Sequence, residues 1–258
     1  MNDFNILAIG NSFSTDSTHY IHQIAEAGGV EVKVVNLYIG GCPLERHWQN
    51  IQADAAAYRY ELNGIPTERM ISIREALEEE NWDFIVTHQA SHDSGLPETY
   101  RPYARLVTDY VRNHCPKARL YLQKTWAYEI DSNHPEFSRY HKDQAEMYRR
   151  LSEAYEGIAR ELELPLIPSG DIIQEVRGLP PFRYQEGGRS LCRDGYHMDY
   201  LYGRYLLGAA WVEALLQKDI RNIDFLPQTP LVPVEAPDQA ALQVIRETVH
   251  KFCHGGDA

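Results

Sequence analysis

At 258 residues, 43% hydrophobic and 24% charged, the chain is long enough for one substantial core and has the composition of an ordinary globular protein. Its formal charge of -12 would repel a phosphate backbone, which argues against a nucleic-acid partner. No apolar run approaches the length that spans a bilayer, and no basic segment followed by an apolar core opens the chain, so no membrane partner is expected and the expected compartment is the cytoplasm, although a trimmed signal peptide would leave the same sequence.

In chain order, Asn5 to Ile9 reads as a short buried strand stopped by Gly10-Asn11-Ser12, and residues 17–28 read as a helix ending at Gly28-Gly29. Val30 to Ile39, rich in β-branched residues, predicts a second strand that closes at Gly40-Gly41. Helices are predicted over residues 44–60 and 68–80, then a strand over Trp82 to Thr87. A helix over 100–114, a strand over 119–124, a long helix over 138–162 and a short strand over 164–167 follow. Residues 127–137 and 178–193 read as long loops of the kind that form binding walls, and residues 200–217 as a helix. A proline-rich tail over 226–236 precedes a last amphipathic helix over 239–252. Short apolar runs alternating with helices predict βαβ units and a parallel sheet covered on both faces. One domain is expected, with its core over about 5–217 and a C-terminal extension over 218–258.

In such a sheet ligands bind where strands end and helices begin. The first strand ends in Gly10-Asn11-Ser12-Phe13-Ser14, which sets Ser12 at the mouth of a helix, where free N–H groups suit an oxyanion. A serine there also serves as a plain helix cap. The second ends in Gly40-Gly41-Cys42, where the N–H of Gly41 is free to approach a ligand. The third ends in His88-Gln89-Ala90-Ser91, where a side-chain amide is placed to donate to developing negative charge. Late in the chain, Asp194-Gly195-Tyr196-His197 supplies a carboxylate three residues before a histidine. That spacing lets the carboxylate hold Nδ1–H and leave Nε2 as a base.

Taken in order, these blocks resemble those of the SGNH/GDSL hydrolases, across residues 6–215. Gly10-Asn11-Ser12 is similar to the Gly-Asp-Ser block, with the nucleophile on Ser12; residues 34–41 are similar to the second block, with its oxyanion glycine on Gly41; Asp194-x-x-His197 matches the last block. The resemblance implies a three-layer α/β/α sandwich with a five-stranded parallel sheet, and ester hydrolysis with neither metal nor organic cofactor. It implies Ser12, Asp194 and His197 as the catalytic triad. The oxyanion hole would comprise the N–H groups of Ser12 and Gly41 and, in place of the usual asparagine, Gln89. Asn11 for aspartate and Gln89 for asparagine set the chain in a bacterial branch with altered first and third blocks. The expected substrate is a small acyl ester, acetyl by preference, on a small molecule or a carbohydrate, with His47, His88 and Trp126 lining its pocket. An acyltransferase or a catalytically silent carbohydrate-binding protein of the same fold would carry the same cleft.

Other arrangements are weaker. The four cysteines, Cys42, Cys115, Cys192 and Cys253, are too scattered for a zinc knuckle or redox motif and read as buried or free thiols, and a nucleophilic Cys42 has only its neighbouring glycines in its favour. His19-x-x-His22 and His88-x-x-x-His92 have helical spacings but lack the carboxylate context of a metallohydrolase. Asp199 reads as the cap of the helix that follows it.

Overall fold

The computed structural model describes residues 3–231 and 236–254, so part of the proline-rich 226–236 segment lies outside the described residues. The strands are β1 (Phe4–Gly10), β2 (Val32–Tyr38), β3 (Tyr58–Leu62), β4 (Ile65–Ile71), β5 (Phe84–Thr87), β6 (Arg119–Gln123) and β7 (Leu166–Ile167). The helices are α1 (Ser12–Thr18), α2 (Ile21–Ala27), α3 (Leu44–Gln52), α4 (Ile73–Glu79), α5 (Tyr103–His114), α6 (Gln144–Leu162), α7 (Ser169–Arg177), α8 (Tyr202–Leu216) and α9 (Gln239–His254). Strand order is β4-β3-β2-β1-β5-β6-β7. The central strand β1 pairs with β2 and β5 in parallel, Ile6 facing Val34 on one side and Phe84 on the other. Being covered on both faces, β1 needs an unbroken apolar run, and Ile6, Leu7, Ala8 and Ile9 are all buried. Helices α1, α2, α7, α8 and α9 pack together on one face of the sheet, and α3, α4 and α5 on the other with α6, giving the three-layer sandwich.

The sheet has seven strands rather than the five expected. Five are parallel, and β3 and β4 form an added antiparallel hairpin on the edge of β2. The helices expected over 44–60 and 68–80 are therefore only α3 and α4, and β3 and β4 take up parts of both expected spans. The turn is Asn63-Gly64, both at positive φ, the dipeptide that favours a tight hairpin. Asn63 fixes it to β2 through both its N–H to the Val34 carbonyl and its Oδ1 from the Val34 N–H. Gly64 is required twice, by its φ of 81° and because a Cβ would lie 2.2 Å from the His19 carbonyl oxygen. The helix expected over 17–28 is two short helices that break at His19 and Tyr20, and α7 stands where no element was expected.

Chain order along the sheet reverses at β1: the connection through α1 and α2 leads to β2, and the next parallel strand, β5, lies on the other side. The strand ends at such a switch point open a crevice. Helix α8 is apolar all round (Leu206 to Val212 is entirely buried) because α9 covers the side that would otherwise face water. Among the described residues no helix is long and apolar enough to cross a membrane.

Candidate active site

Three loops meet at the switch point, and Asn11 ties them together. Its Oδ1 accepts the Phe13 N–H at 3.0 Å, capping α1, and faces His88 Nε2 at 3.1 Å, while its Nδ2 donates to the Cys42 carbonyl at 3.1 Å. A carboxylate has no N–H for that last bond, which gives a physical reason for asparagine here. Gly10 permits the close approach of these loops, since a Cβ there would fall 2.5 Å from Ser14 Oγ and 2.8 Å from His88 Cε1.

Ser12 opens α1 and stays partly accessible among buried neighbours. The loop before α8 brings His197 alongside: the rings of Phe13 and His197 lie 6.1 Å apart, edge to face. Asp194 Oδ2 holds His197 Nδ1 at 2.7 Å, and its Oδ1 accepts the N–H groups of His197 (2.8 Å) and Tyr196 (3.2 Å). Partial burial pushes the Asp194 carboxyl up, but these bonds outweigh it and leave the group below its ordinary value. The bond at Nδ1 leaves Nε2 as the free nitrogen. Among the described residues neither His197 Nε2 nor Ser12 Oγ has a hydrogen-bond partner, so both remain available to a ligand.

The N–H of Ser12, at the first helical position, has no acceptor within its helix. Gly41, exposed at φ 60°, carries its N–H on the adjoining loop. The third expected donor is not there. Gln89 is fully buried, its Nε2 donates to Thr99 O (3.0 Å) and Thr99 Oγ1 (3.1 Å), and its Oε1 accepts from Leu44 N and Ala90 N, both at 2.9 Å. Both amide protons are committed, so Gln89 starts α3 and braces the 97–100 turn instead of facing the crevice.

The three expected pocket residues are also buried. His47 lies on the buried side of α3 with Nδ1 2.8 Å from Tyr58 Oη, and burial, with His88 adding to it, pushes its pKa down to about 3. His88 is lowered to about 4 by burial and serves as the pin on Asn11. Trp126 stacks on Phe13 at 4.0 Å and donates Nε1 to the Tyr196 carbonyl at 2.8 Å, so it braces the neighbours of both Ser12 and His197. The alternative nucleophile fails as well: Cys42 is buried and pushed up to about 12, and His47 beside it is held neutral, the reverse of what a thiolate–imidazolium pair needs. His19 and His22 are spent separately on the carbonyls of Gly64 and Val32. Asp199 caps α8 as expected, accepting the N–H groups of Leu201, Tyr202 and Gly203.

One group of residues escaped the sequence reading. Asp16, fully buried one turn after Ser12, accepts Arg193 Nη1 on both oxygens (3.0 and 3.1 Å), Arg204 Nε at 2.9 Å and the Met198 N–H at 2.9 Å. Arg193 also donates to the Met198 carbonyl, and both guanidiniums lie over the Tyr200 ring. This cluster clamps the His197 loop to the helix that carries Ser12. The i, i+4 spacing of Ser12 and Asp16 was a usable signal, whereas the arginine partners lie 177 and 188 residues away along the chain. Aromatic residues, two of them from the loop expected as a binding wall, pack beside His197. Tyr196 packs 4.4 Å from its ring, with His134 (4.7 Å) and Tyr128 (5.7 Å) packed on Tyr196 in turn. Of the two residues that the loop over 127–137 contributes here, His134 is partly exposed and Tyr128 is fully buried.

The profile of a domain family of unknown function, DUF4886, matches residues 5–242. A crystal structure of a DUF4886 family protein from Bacteroides uniformis is 33% identical, with a TM-score of 0.87 over 99% of this chain and 96% of that one. A putative SGNH hydrolase from Slackia heliotrinireducens is 23% identical, with a TM-score of 0.56 over 82% of this chain and 98% of that one. A mutant of an acetyl-xylooligosaccharide esterase from Geobacillus stearmophilus is 14% identical, with a TM-score of 0.52 over 88% and 98%. No curated protein matches. The chain belongs to the DUF4886 family, and its fold is that of the SGNH/GDSL hydrolases.

Proposed function

We propose that the protein is a serine esterase that hydrolyses small acyl esters, of acetyl type, on polar alcohols such as carbohydrates. The observation that carries the reading is the Asp194–His197 bond of 2.7 Å, which leaves Nε2 free on a ring packed beside Phe13, the residue after Ser12. Ser12 Oγ attacks the ester carbonyl carbon and gives its proton to His197 Nε2, and Asp194 stabilises the imidazolium. The N–H groups of Ser12 and Gly41 receive the oxyanion. His197 then protonates the departing alkoxide, and water, deprotonated by the same nitrogen, releases the acid from the acyl-serine. The partly exposed rings of His134 and Tyr196, packed edge to face beside His197, offer aromatic surface with polar edges, which suits a sugar better than an alkyl chain. The likeness in fold to an acetyl-xylooligosaccharide esterase supports the same substrate class.

Ser12→Ala should lower turnover of an aryl acetate by about 10⁴-fold or more without moving the melting temperature. Activity retained in that variant would overturn the assignment. A silent carbohydrate-binding role is favoured by one observation, the commitment of Gln89, which leaves two oxyanion donors where three were expected. A fluorophosphonate probe separates the readings: labelling of Ser12 supports the esterase, and no labelling of the folded protein supports the binding role.

A further inference from the structure

Glu213, near the end of α8, is fully buried. Its Oε1 lies 2.5 Å from His250 Nδ1 and 3.0 Å from His254 Nε2, two histidines one turn apart on α9, and its Oε2 accepts the Ile220 N–H at 3.3 Å. Among the described residues it has no lysine or arginine within ion-pair distance. The contrast with Asp16 is sharp: that buried carboxylate has two guanidiniums, whereas this one faces two imidazoles. Buried charges are paired or coordinate metals, and two imidazole nitrogens beside a buried carboxylate oxygen are a set of metal-ligating atoms.

We propose that Glu213, His250 and His254 form a site for a divalent transition-metal ion of the zinc class, which fastens α9 to α8. One carboxylate oxygen and two imidazole nitrogens are the donor set such ions prefer. The three ligand atoms lie within 4.8 Å of one another, and around a tetrahedral ion they would stand roughly 3.4 Å apart, a change that side-chain rotation supplies. Asp219 Oδ1, 3.4 Å from His250 Nδ1, or a water completes the shell. His250 and His254 are partly exposed, which gives the ion an entry path to the buried carboxylate. The site stands apart from the Ser12 crevice: Glu213 lies eleven residues beyond Tyr202, about 16 Å along α8 from the end that follows His197. Its role is structural. Helix α9 buries Ala241, Leu242, Ile245 and Val249, and the ion pins the last turn of that layer.

The test uses the full chain without an affinity tag, freed of metal by a chelator and titrated with zinc chloride. One Zn²⁺ per chain should bind, and a hundredfold excess over Kd should raise the melting temperature by about 5 °C or more. Cobalt(II) should give the visible absorption of a four-coordinate ion. The exposed substitution His254→Gln should weaken zinc binding at least about tenfold while its metal-free melt matches the wild type, and His250→Gln with His254→Gln should abolish it. No stoichiometric uptake, uptake that survives the double variant, or uptake without a rise in melting temperature would each overturn the proposal.

Discussion

Replacing Asp16 by asparagine keeps its shape and removes its charge, and the structure states what that costs. The carboxylate accepts four hydrogen bonds, three from guanidinium groups and one from the Met198 N–H. The amide keeps one acceptor oxygen and turns an NH₂ group toward donors, leaving two arginines short of a counter-charge. Breaking a buried ion pair in this way costs about 3–5 kcal/mol. Arg193 keeps some contact with water, with 22% of its side chain exposed, so the lower end, about 3 kcal/mol, is expected. In a chain of this size that corresponds to a fall in melting temperature of roughly 10 °C. The catalytic effect comes through Met198, the residue after His197. If its anchor is lost and the imidazole moves by about 1 Å, turnover should fall on the order of 10²-fold with little change in KM. The assay is aryl-acetate kinetics far below the variant's melting temperature, beside thermal melts of both proteins. Wild-type turnover in a variant that has lost the expected stability would show that the cluster holds the fold and not the base; an unchanged melt would refute the energetic argument itself.

Gln89→Ala should lower the melting temperature, because it leaves the buried N–H groups of Leu44 and Ala90 unsatisfied at about 1–3 kcal/mol each, while turnover of the folded enzyme changes less than about tenfold. A loss near 10²-fold with an unchanged melt would restore Gln89 as an oxyanion donor. Specificity constants for two-, four- and eight-carbon acyl esters on one leaving group should fall with length, and a rise toward eight carbons would defeat the polar-substrate reading. Stability should decline as pH falls from 6.5 toward 4. His19 and His88 are lowered to about 4 and His47 to about 3, chiefly by burial, so the unfolded chain takes up protons there that the native chain refuses. Asp199, raised to about 6 by burial, works in the opposite direction between about pH 6 and 4 but is one group against three. Equal melting temperatures at pH 7.5 and 5.0 would contradict this.

Local chemistry made much of the fold legible in one dimension. Apolar runs stopped by Gly10-Asn11-Ser12 and Gly40-Gly41 mark parallel strands entering helices, and Asp194-x-x-His197 carries its geometry within four residues, since the carboxylate meets its partners inside one turn of chain. The hairpin has a local signal in Asn63-Gly64, which lies between the two helices expected over 44–60 and 68–80. Only the tertiary structure decided which polar side chains face the crevice. His47, His88, Gln89 and Trp126 follow strand ends, where a sequence reading places ligand contacts, yet all four are buried and hold loops together. A side chain's direction depends on which partners the fold delivers to it, and two of these are distant in sequence: Asn11 for His88 and Tyr196 for Trp126 lie 77 and 70 residues away. The same holds for charge. Nothing local distinguishes Asp16, which meets two arginines, from Glu213, which meets two histidines; packing α1 and α9 against α8 makes that distinction.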